Sequence, residues 1–213
     1  MEPAQTQDHF KIDSNFKVEE FSSEEIVINS SLHSELIYFC EKFSRGPSAV
    51  NFSTENFESN STSLFYLIHK TKRFQGENGK IFLLRFCGEL IGISGVSSLP
   101  MNTQIAQGGI RTLLNPIYGR KFILTSHVIP KQYEWAVKKG FREFVLTFNE
   151  GNKGLAQLIS RISQGRAAFF GTKGNEFLKE MIVLPHVVLI HGFRQYVAIK
   201  KIDSSFSFTY PSD

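Results

Sequence analysis

The sequence predicts a single mixed α/β domain built on a central sheet that holds at least one parallel strand pairing. Three observations carry this. The 213 residues fit one domain at ~150 residues per domain. The composition, 41% hydrophobic and 21% charged, is apolar enough to bury a core and excludes wholesale disorder. The periodicity switches along the chain in the order β, α, loop, β-hairpin, β, α, β, α, β, β. A strand after each later helix calls for a parallel neighbour, with 141–148 as the central candidate.

Residues 1–15 are polar and read as a loose leading segment, 16–203 as the domain, and 204–213 as a polar and aromatic tail. FKVEEF (16–21) suits a short strand. From Ser31 to Phe43, Leu32, Leu36, Ile37, Phe39, Cys40 and Phe43 recur at helical spacing, and the Ser-Arg-Gly-Pro run at 44–47 stops the helix. Residues 48–63, rich in Asn, Ser and Thr, read as a loop, and LFYLIHK (64–70) as an apolar segment of either type. KIFLLRF (80–86), a CGE turn and LIGISGVSS (90–98) form a hairpin. Pro100 to Ala106 reads as a loop, and GGIRTLL (108–114) as a third strand stopped by Asn115-Pro116. Ile123 to Lys139 reads as a helix with a break or restart at Pro130, ended by Gly140. FREFVLTF (141–148) is a strand, Asn149 to Asn152 a turn, and Asn152 an N-cap for a helix over 153–162. MIVLPHVVLIHGF (181–193) and QYVAIKKI (195–202) read as two closing strands joined near His191-Gly192.

Several function classes are excluded or weakened. There is no run of ~18 apolar residues, so no membrane span is expected. MEPAQTQDHFKID lacks the basic cap and apolar core of an export signal, which points to the cytoplasm and leaves the N-x-S/T triplets at Asn29, Asn51 and Asn60 without meaning. Cys40 and Cys87 sit in apolar contexts and make no CxxC, so both read as free buried thiols, and a structural zinc site is not expected. GxxxxGK[ST], HExxH and GxSxG are absent. Charge is uneven. Residues 1–69 carry 4 Lys and Arg against 11 Asp and Glu, and residues 70–213 carry 20 against 9. The basic part suits an anionic ligand, with nucleic acid an open but disfavoured choice, or is a solvated surface.

Four pieces in order then resemble a known family. KIFLLRFCGELIGISGVSS is similar to the strand, G-x-x-I/V-G, strand hairpin of the GNAT superfamily of acyl-CoA-dependent N-acyltransferases. RTLLNPIYGRKFI (111–123) resembles that family's strand and pyrophosphate loop. FVLTFNEGNKGLAQLISR (144–161), with its N-x-x-N turn, resembles the fifth strand and following helix, and HGFRQYVAIKKI (191–202) the closing strand. The resemblance implies a mixed sheet with splayed parallel strands and helices on its flanks. It implies an enzyme that holds acetyl-CoA or another acyl-CoA as co-substrate in the V between 108–114 and 141–148. The acyl group would pass directly to an amine of unknown identity.

The site residues follow from the same resemblance. Leu113 and Leu114 would offer strand N–H groups to the thioester arm. Gly119, Arg120, Lys121 and Phe122 would line the pyrophosphate loop, and Asn152 would touch the pantetheine. Glu150 and Asn149 are the catalytic candidates, with His127, His186 and His191 as further bases. This sequence departs from the family pattern in two places. Gly119-Arg120-Lys121-Phe122 stands where Arg-Gly-Lys-Gly is usual and Leu124 replaces the final small residue, so both later glycines are absent. Ile159 holds the place of a thiolate-protonating tyrosine. A binding or scaffold protein on the same fold therefore stands as the alternative.

Overall fold

The computed structural model describes residues 15–43, 72–119, 123–166, 177–190 and 193–212. The readings at 1–14, 44–71 and 191–192 lie outside these residues. Eight strands form one mixed sheet: β1 (Phe16–Phe21), β2 (Gly79–Phe86), β3 (Glu89–Leu99), β4 (Asn102–Leu114), β5 (Glu143–Asn149), β6 (Ile182–Val183), β7 (Val188–Ile190) and β8 (Phe193–Lys201). Their order is β1-β2-β3-β4-β5-β8-β6, with β7 also on β8. β1 to β4 form an antiparallel meander. β4 and β5 are parallel, and β5 meets β8 antiparallel. The helices are α1 (Ser23–Ile28), α2 (Ser30–Phe43), α3 (Pro116–Gly119), α4 (Ile123–Lys138) and α5 (Lys153–Ser163). The crossover from β4 to β5 runs through α3 and α4, as a parallel pair requires.

Alternation along the strands splits the core by face. Phe82, Leu84, Phe144, Leu146 and Ala198 point to one face and pack beneath Val128, Ile129 and Trp135 of α4 and Ile159 and Ile162 of α5. Their neighbours Ile81, Leu83 and Ile93 point to the other, against Leu32, Leu36 and Phe39 of α2. Val145, Val197 and Ile199 share that second face but lie under Phe206 and Tyr210 of the C-terminal segment. At roughly 1.5–3 kcal/mol for each large apolar side chain fully buried, these clusters dominate the stabilisation.

The structure corrects four expectations. Pro100 to Ala106 is not a loop: only Pro100 and Met101 turn, and β4 starts at Asn102, pairing Leu99 with Asn102 and Ser98 with Ala106. The exposed Thr103 and Gln104 hid a strand whose inward residues are Ile105 and Ala106. Pro130 does not break α4. A proline inside a helix costs about 3 kcal/mol, and burial of the stripe Ile123, Leu124, Val128, Ile129, Trp135 and Ala136 outweighs it. The segment 181–193 is two short strands, because Pro185 has no N–H to give to the ladder. Cys40 is buried as expected, but Cys87 is exposed in the β2–β3 turn, where its φ is 49°. One element was not anticipated. α1 opens with a capping box in which Ser22 Oγ accepts from Glu25 N–H and the Glu25 carboxylate accepts from Ser22 N–H.

Candidate active site

β4 and β5 pair over Ile105–Glu143, Ala106–Phe144, Gln107–Val145 and Gly108–Leu146, and no further. β4 then follows β3 while β5 follows β8, which opens a V. The cause lies in the register of β4. From Ser97–Gln107 to Gly95–Ile110, β4 spends three residues against two on β3; from Gly95–Ile110 to Ile93–Leu113 it does so again. Each extra residue is a bulge that bends the strand. The first sits at Gly109, whose φ of +67° suits glycine.

A strand that leaves its partner strands its backbone polar groups unless others take them. At the point of departure, Gly109, they are taken. Gly109 N–H donates to Gln132 Oε1 of α4 at 2.9 Å, and Thr112 Oγ1 donates to Gly109 C=O at 2.9 Å. Gln132 Nε2 donates to Ser94 Oγ at 3.1 Å, and Ser94 Oγ lies 2.9 Å from Thr112 Oγ1. Gln132 is fully buried. On the opposite face Gln107 clips the two strands, donating to Thr147 Oγ1 at 2.8 Å while accepting from Arg73, which also reaches Ser97.

The β4 arm of the V ends at Leu113, Leu114 and Asn115. The Leu113 side chain is core against α2, and the Leu114 side chain packs toward α4, so either could act only through its backbone. Asn115 N–H donates to Ile91 C=O at 2.8 Å and so faces β3. N–H groups alternate edges along a strand, which turns Leu114 N–H toward the edge that β5 has left and Leu113 N–H toward β3. Asn115 Oδ1 then accepts from Ile117 N–H at 3.2 Å and opens α3, which ends at Gly119. Arg120, Lys121 and Phe122 lie outside the described residues. Leu124 is buried against Leu114 and the backbone of Gly92, not in the loop. The first turn of α4 carries no acidic side chain to oppose its positive pole.

The β5 arm ends at Asn149, Glu150 and Asn152, so Leu113 and Leu114 stand on one arm of the V and these three on the other. Asn149 Oδ1 accepts from Gly151 N–H at 2.9 Å and caps the 3₁₀ turn Glu150–Asn152. Glu150 is half exposed, and its Oε2 is 3.1 Å from Arg194 Nε on β8. Asn152 is the last residue of that turn, directly before α5. Ile159 is buried in the core of the α4 and α5 face. His127 stacks on Phe16 at 4.7 Å between ring centroids. His186 has a buried Nε2 with no hydrogen-bond partner, on the β6–β7 connection. Burial, aided by the Glu41 charge, pushes the Cys40 thiol up to about 12, so it is no nucleophile at neutral pH. Among the described residues no cluster of His, Cys, Asp and Glu could hold a metal, and no helix is long and apolar enough to cross a membrane.

Gly108, Gly109, Ser94, Thr112 and Gln132 escaped the sequence reading. Their signals were present: a Gly pair inside a strand marks a bulge, and Gln132 is a polar residue in the buried stripe of a helix.

The sequence matches no protein-family model and no curated protein. Solved structures do resemble the chain. An acetyltransferase of the GNAT family from Streptococcus pneumoniae superposes with a TM-score of 0.54 at 14% identity, over 88% of this chain and 99% of its own. An N-acetyltransferase from Kribbella flavida gives 0.56 at 11% identity, over 89% and 99%. The PaiA N-acetyltransferase from Thermoplasma acidophilum, solved in complex with coenzyme A, gives 0.52 at 16% identity, over 87% and 98%. At such identities the likeness lies in the path of the backbone. With an antiparallel meander, a parallel pair that parts midway and a closing antiparallel strand, the chain has the fold of the GNAT N-acetyltransferases.

Proposed function

We propose that the chain is an acyl-CoA-dependent N-acyltransferase that moves an acetyl group from acetyl-CoA directly to a primary amine. The observation that carries this reading is the open edge of β4 beyond Gly108, with Leu114 N–H turned into it. The thioester supplies an activated acyl carbon; the amine forms a C–N bond there as the C–S bond breaks, and the amine proton must find a base.

The chain's own groups suit these tasks. Leu114 N–H would donate to the carbonyl oxygen, a fixed donor aimed where charge grows. The N–H groups at the start of α4 would hold the pyrophosphate, with Gly119 and the Arg120, Lys121 and Phe122 backbone before them and the charges of Arg120 and Lys121 in support. The inward packing of Leu124 leaves that turn uncrowded by its side chain. Asn152 and Asn149 would face the pantetheine arm and the incoming amine. Glu150 would take the proton, directly or through water, once its pair with Arg194 opens.

Calorimetric titration of the purified chain with acetyl-CoA and with CoA tests this. Micromolar binding of both, lost in Arg120→Glu, is expected. No binding up to millimolar ligand sinks the reading. One observation favours a second reading, a binding protein on the same fold: buried Ile159 offers no proton to a leaving thiolate. That reading predicts ligand binding without turnover against a panel of amines.

A further inference from the structure

The four hydrogen bonds around Gly109 have one direction. Thr112 uses its single hydroxyl proton on Gly109 C=O, so Ser94 must donate to Thr112 and accept from Gln132. Gln132 Oε1 in turn accepts from Gly109 N–H. The circuit leaves the peptide N–H of Gly109, passes through Gln132, Ser94 and Thr112, and returns to the C=O of the same residue. Each of the four residues donates once and accepts once along it; the second Nε2 hydrogen of Gln132 lies outside the circuit. It ties α4, β3 and β4 together at the vertex of the V, one residue beyond the last β4–β5 pair.

We propose that Gln132 is the positioning residue of this cleft: its carboxamide closes the ring that holds the bulge, and the bulge aims Leu114 N–H into the gap. The role of Leu114 rests on the acyl-CoA reading; the ring itself does not. A carboxamide is the group this place requires, because it accepts at one atom and donates at the other. Leucine fills about the same volume and does neither, and it strands Gly109 N–H in a part-buried site. The freed N–H has one other strand within reach, β5, and pairing there narrows the cleft.

Two readouts on the full chain separate the possibilities. The first is hydrogen exchange at the Gly109 amide, followed by NMR. Gln132→Leu is expected to speed that exchange at least about 100-fold relative to the Leu83 and Val145 amides, which sit in undisturbed parts of the sheet. Equal protection of Gly109 in both proteins overturns the ring. The second is calorimetry with acetyl-CoA. Gln132→Leu is expected to bind about tenfold more weakly or worse, while Val188→Ala, which thins the distant cluster under the C-terminal segment, binds as the wild type does. A folded Gln132→Leu that binds like wild type overturns the positioning role and leaves the acyl-CoA reading standing. Wild-type protein that does not bind overturns that reading, and the positioning role with it, whatever exchange reports at Gly109. Should Gln132→Leu fail to fold, Thr112→Val breaks the ring at its other end. The same two shifts, smaller in size, are then expected, and their absence overturns the proposal.

Discussion

Gly108 has no space for a side chain. A Cβ there would stand 2.3 Å from Phe144 Cζ and 2.9 Å from Gln132 Oε1. Gly108→Ala should therefore lower stability by about 2–3 kcal/mol, as overpacking does, and a urea titration will read it as a lower midpoint. Tyr210 makes a different kind of prediction. Burial first, then its hydrogen bond to the Glu143 carboxylate and that group's charge, hold the Tyr210 hydroxyl well above its ordinary value of 10.0. A raised folded pKa gives stability that is complete below the unfolded pKa and drains as pH climbs past it. The wild-type chain should thus lose up to about 1.4 kcal/mol per pH unit above pH ~10 through this residue alone. Tyr210→Phe should start less stable at neutral pH, with buried Glu143 left to Lys201, and should show a shallower fall above pH ~10 in thermal melts.

At the scale of elements, Ser22 starts α1 and closes both halves of its capping box. Ser22→Ala should lower stability by about 1 kcal/mol in denaturant, with no change in any ligand affinity. The sequence carries that signature, Ser22-x-x-Glu25, though α1 was not anticipated, whereas β2, β3 and β8 were read from their apolar runs, α2 from its helical stripe and the end of α4 from Gly140, whose φ is +75°. These signals are local: the residues that speak lie within one turn or one strand. The vertex is another matter. Gly109 depends on Gln132, 23 positions on, and Gln132 on Ser94, 38 positions back. Nothing near any of the three announces the others. The resemblance placed Leu114 on the cleft edge because strand order survives sequence drift. It could not say that Asn149 is bound into its own turn or that Glu150 is paired with Arg194, since both depend on side-chain rotamers and on β8.

At the scale of the whole molecule, two separate roofs among the described residues cover the second face of the sheet. α1 and α2 cover one part, and the segment through Phe206 and Tyr210 covers the other. The polar seam of Arg73, Ser97, Gln107 and Thr147 joins strands of the two parts. Removing residues 204–213 should uncover Val145, Val197 and Ile199 and lower stability by roughly 3–6 kcal/mol, at roughly 1.5–3 kcal/mol for each of two buried aromatics. A thermal melt of the shortened chain checks it, and an unchanged midpoint would show that this roof contributes nothing. On the proposed acyl-CoA reading, acetyl-CoA should act in the opposite direction, raising stability by about 2.7 kcal/mol at a hundred times its Kd.

The bulges of β4 also have an arithmetic. Side chains on a strand obey an even-odd rule, and one inserted residue reverses it. In β4 the even residues Ala106 and Gly108 face α4, Ile110 breaks the rule by facing α2, and Thr112 and Leu114 keep it again. Two insertions cancel where one would invert. Loss of a single residue between Gly109 and Thr112 would exchange the faces of Leu113 and Leu114 and turn the wrong N–H into the cleft. Loss of two would restore parity in a straight strand free to zip along β5, a well-ordered sheet with no cleft. Losses from this stretch should therefore be compatible with the fold only in pairs, and such a paired loss should abolish the cleft.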